Sequence, residues 1–123
     1  MTKKLIIDLD NTITIHKPEL SYSEMPVNRA VLKKMHYYKE LGYRITVFTA
    51  RNMRTYNGDK VLIEANTLPV IHDWLTKYDV PFDEIIIGKP WCSEGFYVDD
   101  KAIRPSEFVS LQEEDILELI NAK

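Results

Sequence analysis

"LIIDLDNTIT", residues 5–14, decides how this chain is read. An aliphatic run of strand length ends on two aspartates, Asp8 and Asp10, and two threonines follow. The segment 4–9, "KLIIDL", is continuous enough in apolar residues to be covered on both faces, as strands of a parallel sheet are. Asp usually stands at a strand end only to form a turn. Two carboxylates so close together, right after a strand, ask for a further reason.

Working outward, strands and helices alternate. Asn28 is placed to cap a helix over about 28–41, with Val31, Met35, Tyr38 and Leu41 on one side and Gly42 just past its end. "YRITVFTA", 43–50, is β-branched and aromatic and reads as a second strand. Residues 51–66 read as a long polar loop with an Asn57–Gly58 turn. Thr67 then precedes a helix with Pro69 in its first turn and Ile71, Trp74, Leu75 and Tyr78 on its apolar side. "DEIIIG" (83–88) and "GFYVDD" (95–100) read as further strands, and Ser110 with Glu113 reads as the capping box of a last helix. Residues 11–25 look like an irregular excursion with a small hairpin around "TITI". The pattern predicts a single α/β domain over 1–123, with a mostly parallel sheet, helices on both faces, and short flap-like insertions at about 11–25 and 51–66.

Composition narrows the functional classes. With 16 basic and 19 acidic residues the formal charge is −3, so no global field draws nucleic acid or an anionic membrane. No stretch approaches a membrane span, and the charged start "MTKKLIIDLDN" is unlike a secretion signal. The single cysteine, Cys92, has no internal partner for a disulfide. A cytoplasmic protein is expected.

In such sheets ligands bind beyond the carboxyl ends of the strands. The first strand ends in Asp8 and Asp10, and the second in Thr49 with Arg51 after it. Gly88 and Lys89 follow the third, and the fourth ends in Asp99 and Asp100. Singly these are ordinary turn and surface residues. Together, four acidic groups converging on one edge would repel unless a hard cation sat among them, and oxygen ligands of this kind suit Mg²⁺. An ion held by few carboxylates keeps positions for water and phosphate oxygens, and Thr49, Lys89 and Arg51 are donors for the other oxygens of a phosphoryl group. One of the paired aspartates can then attack phosphorus while the other handles protons.

"DLDNT" after the first strand, a Thr ending the second, a Lys ahead of the fourth and "DD" at its end resemble, in order, the motifs of the haloacid dehalogenase superfamily, in its phosphatase branch. "FTARNMRT", "IIIGKPWC" and "FYVDDKAIRPSEF" are also similar to small bacterial members associated with capsule and surface polysaccharide biosynthesis. The resemblance implies a three-layer α/β/α fold without a large cap domain. It implies Asp8 as nucleophile forming an aspartyl phosphate and Asp10 as general acid, then general base. Mg²⁺ would be bound by the Asp8 carboxylate, the Asp10 backbone carbonyl and Asp99 or Asp100. Thr49 and Lys89, with Lys101 as a fallback, would neutralise the phosphoryl group, and Arg51 would make a second phosphate contact.

The intervals where relatives carry caps are short here, so an open site would need either a large substrate or a neighbouring subunit as its lid. Without a basic patch, a small phosphorylated sugar or alcohol is expected, with homo-oligomerisation closing the site. Asn52, Arg54, Tyr56 and Trp91 leave the ends of the second and third strands and are the candidate specificity residues. Three other readings compete with this one: a phospho-receiver domain, a polynucleotide or macromolecular phosphatase, and a catalytically idle binding subunit. The receiver reading needs an Asp near residue 50, where this chain has "FTAR". An intact set of nucleophile, acid/base, Thr, Lys and acidic pair argues against the idle subunit.

Overall fold

The structure, a computed structural model, describes residues 2–121. By its internal contacts the chain divides into two compact units, Met1–Trp91 and Cys92–Lys123.

The first unit is built on a three-stranded parallel sheet, β1 (Lys4–Asp8), β2 (Arg44–Phe48) and β3 (Glu84–Ile86), in the order β1-β2-β3. The register runs from Lys4 opposite Arg44 to Asp8 opposite Phe48, and from Thr46 opposite Glu84 to Phe48 opposite Ile86. The three carboxyl ends therefore finish level with one another. Paired residues of parallel strands share a face, so Ile7, Ile45 and Val47 form one apolar layer, all buried. On the other face the Thr46 hydroxyl donates to Glu84 Oε1 at 2.8 Å and ties β2 to β3.

Helix α1 (Arg29–Glu40) starts where the sequence predicts. Asn28 Oδ1 accepts the Val31 N–H at 3.2 Å, and Val31, Leu32, Met35 and Tyr38 are buried. It stops at Gly42, whose φ of 93° is costly for any residue with a Cβ. Asp83 joins this end of α1 to the start of β2: Lys39 Nζ donates to one carboxylate oxygen at 2.7 Å and the Ile45 N–H to the other at 2.7 Å. Helix α3 (Leu68–Lys77) opens with Pro69 in its first turn and buries Ile71, Trp74 and Leu75.

Three sequence expectations are corrected. The supposed loop 51–66 contains α2 (Lys60–Asn66), capped by Asp59 Oδ1, which accepts the Val61 and Leu62 N–H groups at 3.0 and 3.3 Å. The helix is seven residues long and buries only Ile63, too little periodicity to detect beside the Asn57–Gly58 turn. "GFYVDD" is not a strand. Residues 95–100 take no regular strand conformation, and strand preference is expressed only where a regular ladder forms. Ser110 does not open the last helix but closes α4 (Pro105–Ser110). The start of α4 is held by Glu107, whose Oε1 accepts the Arg104 N–H at 2.8 Å. Helix α5 (Glu113–Asn121) follows in the second unit. Among the described residues no helix is long and apolar enough to cross a membrane.

The hairpin expected around "TITI" is reduced to a single antiparallel bridge between Thr14 and Val27. The Ile15 N–H donates to the Pro26 carbonyl at 2.8 Å and the Asn28 N–H to the Ile13 carbonyl at 2.7 Å. The returning segment of this excursion is pinned from α3, since Trp74 Nε1 donates to the Met25 carbonyl at 2.8 Å.

Candidate active site

The chain leaves β1 in one wide turn. The Thr14 N–H reaches back to the Leu9 carbonyl at 3.1 Å, with Asp10 extended and Asn11 left-handed at φ 57°. Asn is among the few residues with a Cβ that tolerate this conformation. Leu9 and Ile13 are fully buried and anchor the turn from below. Asp8 and Asp10, flanking Leu9, are left half-buried above it. This is the bend that the paired aspartates of "LDNT" require.

Residues from the ends of β2 and β3 meet the two carboxylates. Lys89 Nζ lies 3.3 Å from Asp8 Oδ1, and the Thr12 hydroxyl donates to Asp8 Oδ2 at 3.3 Å. Thr49 is fully buried, and its hydroxyl stands 3.4 Å from Asp10 Oδ2 while accepting the Arg51 N–H at 3.0 Å. The Lys89 N–H donates to the Thr49 carbonyl at 3.1 Å, which fixes the loop after β3 against the end of β2. Asp8, Asp10, Thr49, Arg51 and Lys89 thus come together at one end of the sheet.

Gly88, immediately before Lys89, has φ 89°, and a Cβ there would come within 2.7 Å of Lys60 Cε. The left-handed turn requires glycine there, whereas the Lys60 side-chain end could swing aside. Burial pushes the Asp8 carboxyl above the usual carboxylate range, and Lys89 beside it opposes that shift without cancelling it.

Arg51 is the least expected arrangement. Its side chain is 1% exposed, with Nη2 donating to Asp10 Oδ1 at 2.7 Å and Nε reaching Oδ1 and Oδ2 at 3.2 and 3.3 Å. The guanidinium lies against the Tyr22 ring, 4.1 Å from its centroid. The remaining nitrogen, Nη1, is buried and has no hydrogen-bond partner among the described residues.

The candidate specificity residues divide. The Arg54 guanidinium lies over the Trp91 ring at 5.2 Å, so these two come together. Asn52 (φ 61°) is engaged in structure: its Oδ1 accepts the Thr67 hydroxyl at 2.7 Å and its Nδ2 donates to Thr55 Oγ1 at 3.2 Å. The Tyr56 N–H donates to the Asn52 carbonyl at 3.0 Å inside the same loop. Asp99 and Asp100 lie in the second unit, where Asp99 Oδ1 accepts the Lys101 N–H at 2.8 Å. Tyr22 and Thr12 escaped the sequence reading as site residues. Thr12 sits inside the "DLDNT" motif and could have been found there, whereas no local pattern marks Tyr22.

Among the described residues no three His, Cys, Asp or Glu side chains form a group able to hold a metal. An all-protein cage is therefore not what the site offers. The half-buried Asp8 carboxylate, with Asp10 two residues on, fits Mg²⁺, which is commonly held by one or two carboxylates plus water and phosphate.

These features define a small α/β protein with a parallel sheet and an acid–lysine–threonine site at the carboxyl ends of its strands. No family model matches the chain, and no curated protein matches it. The crystal structure of an MCSG target from Vibrio cholerae is 47% identical, with 97% of each chain covered and a TM-score of 0.92. The chain belongs to the same family as that protein. Two chains of Pnkp1/Rnl/Hen1 complexes, one described as an RNA repair complex, share the fold at 19% and 18% identity and TM-scores of 0.52 and 0.56. The matches cover 70% and 89% of this chain but only 25% and 34% of those chains.

Proposed function

We propose that the protein is a Mg²⁺-dependent phosphomonoester hydrolase of the haloacid dehalogenase type, acting on a small phosphorylated sugar or alcohol, with surface polysaccharide biosynthesis as its setting. The single observation behind this reading is the Lys89–Asp8 contact at 3.3 Å beside Asp10 and Thr49. A nucleophile, a proton carrier and two phosphate donors, from three strand ends, stand together there.

In this reading Asp8 attacks phosphorus in line, and the bond to the leaving oxygen breaks as Asp10 protonates it. Asp10 then takes a proton from the water that hydrolyses the aspartyl phosphate. Thr49 and Lys89 direct O–H and N–H donors at the phosphoryl oxygens, where charge develops. The Asp8 carboxylate and the Asp10 carbonyl would hold Mg²⁺, with Asp99 and Asp100 assigned to it by sequence alone. When bound, the ion neutralises phosphate charge. Arg54 and Trp91 are the specificity residues that the observed stacking favours.

The test is hydrolysis of p-nitrophenyl phosphate and of a panel of phosphorylated sugars, sugar acids and alcohols, with Mg²⁺ and with EDTA. Turnover with Mg²⁺, abolished by EDTA and restored by Mg²⁺, is expected. No turnover of any phosphomonoester, or turnover indifferent to EDTA, refutes the reading.

A further inference from the structure

A phosphate ligand offers its donors to the substrate, but two of the three nitrogens of Arg51 are already engaged by Asp10. The fork is held on every side: the backbone N–H is tied to Thr49, the side chain is buried, and the Tyr22 ring covers the guanidinium at 4.1 Å. A planar fork fixed in this way orients a carboxylate as no lysine could.

The two oxygens of Asp10 are held unequally. Oδ1 takes the 2.7 and 3.2 Å contacts from Arg51, whereas Oδ2 has only contacts of 3.3 Å from Nε and 3.4 Å from the Thr49 hydroxyl. Contacts of that length are weak and easily exchanged.

We infer that Arg51 is a positioning residue, which under the Tyr22 ring grips Asp10 by Oδ1 and leaves Oδ2 as the oxygen that carries the proton. The inference rests on the phosphatase reading. In the first half-reaction the Oδ2–H bond breaks and its proton goes to the leaving oxygen as the phosphorus–oxygen bond to that oxygen breaks. In the second, water bonds to phosphorus and passes a proton to Oδ2, the bond from phosphorus to Asp8 breaks, and inorganic phosphate departs. Tyr22 belongs to the excursion bridged by Thr14 and Val27. The flap therefore contributes to the chemistry by stacking on the residue that orients Asp10.

Rapid-quench kinetics on Arg51→Ala, Arg51→Lys and Tyr22→Ala, with Mg²⁺ present, test this. With p-nitrophenyl phosphate, whose leaving group needs little protonation, both Arg51 variants should release a burst of nitrophenolate and then turn over about 10²-fold more slowly, the scale of lost proton transfer. KM should fall along with the slowed hydrolysis step, and inhibition by inorganic phosphate should not weaken. With an alkyl phosphate the burst should disappear, because the leaving alkoxide is no longer protonated. Tyr22→Ala, at an exposed ring, should show the same pattern in weaker form, and it carries the test if Arg51→Ala does not fold. Rescue by lysine overturns the inference. So does a joint rise in KM and in the inhibition constant of phosphate with no burst, which would make Arg51 a phosphate ligand. Wild-type protein without any turnover would instead refute the phosphatase reading itself, and the inference with it.

Discussion

Replacing Asp8 by Asn should remove activity and, in the absence of metal, make the fold more stable. Burial raises the Asp8 carboxyl above its unfolded value, and this outweighs the opposing attraction of Lys89. A carboxyl raised on folding stabilises the fold where both states hold the proton, and that contribution is lost as pH climbs through the raised folded value. At pH 7 the wild-type protein therefore bears the cost of a half-buried charge, and Asn does not. The lost Lys89–Asp8 contact, 3.3 Å long with both side chains partly exposed, returns at most about 1 kcal/mol. The variant should melt above wild type at pH 7 in EDTA. The difference should shrink as pH falls through the raised folded value of Asp8 toward the ordinary carboxylate value.

Saturating Mg²⁺ should reverse the order. At 100 times its dissociation constant a ligand adds about 2.7 kcal/mol, roughly 10 °C, to the wild type and little to a variant without the Asp8 carboxylate. Turnover should fall by about 10⁴-fold or more, the loss seen when a nucleophilic constellation is broken. Differential scanning fluorimetry across pH 4–8, with EDTA and with Mg²⁺, reads all the stability terms. A variant less stable than wild type at pH 7 in EDTA, or a Mg²⁺ shift equal in both proteins, would refute the reasoning about Asp8.

Trp74→Phe deprives the buried Met25 carbonyl of the indole N–H that donates to it at 2.8 Å. This should cost about 1–3 kcal/mol, lower the melting temperature and speed amide exchange across residues 14–28, and exchange unchanged there would show that the excursion is held by other contacts. In the second unit the Asp99 carboxylate already closes a turn on the Lys101 N–H. On the phosphatase reading, where sequence alone assigns this pair to Mg²⁺, Asp100→Asn should weaken Mg²⁺ binding by at least about 10-fold and Asp99→Asn by less, as read by titration calorimetry, and the opposite order would make Asp99 the ligand.

What could be read from the sequence followed the range over which each signal acts. Asn28 and Gly42 bracket α1 by local chemistry alone, so that helix was legible to within a residue at its start. The strand ends were legible because parallel strands place their carboxyl ends level, which brought Asp8, Thr49 and Lys89 to one rim before any distance was known. "GFYVDD" has strand composition, but a strand exists only through its partner, and that is a non-local fact. Helix α2 was hidden because one buried residue, Ile63, cannot display a period.

Arg51 shows the same limit inside the site. Its place two residues past Thr49 was readable, but the direction of its fork depends on Asp10, 41 residues earlier, and on Tyr22 at the start of a short 3-10 turn (Tyr22–Glu24). A long side chain between two candidate anions, a substrate phosphate and a protein carboxylate, goes to the one that is always present. On the phosphatase reading, this arrangement would keep the proton carrier aligned between turnovers and leave the phosphoryl group to Thr49 and Lys89.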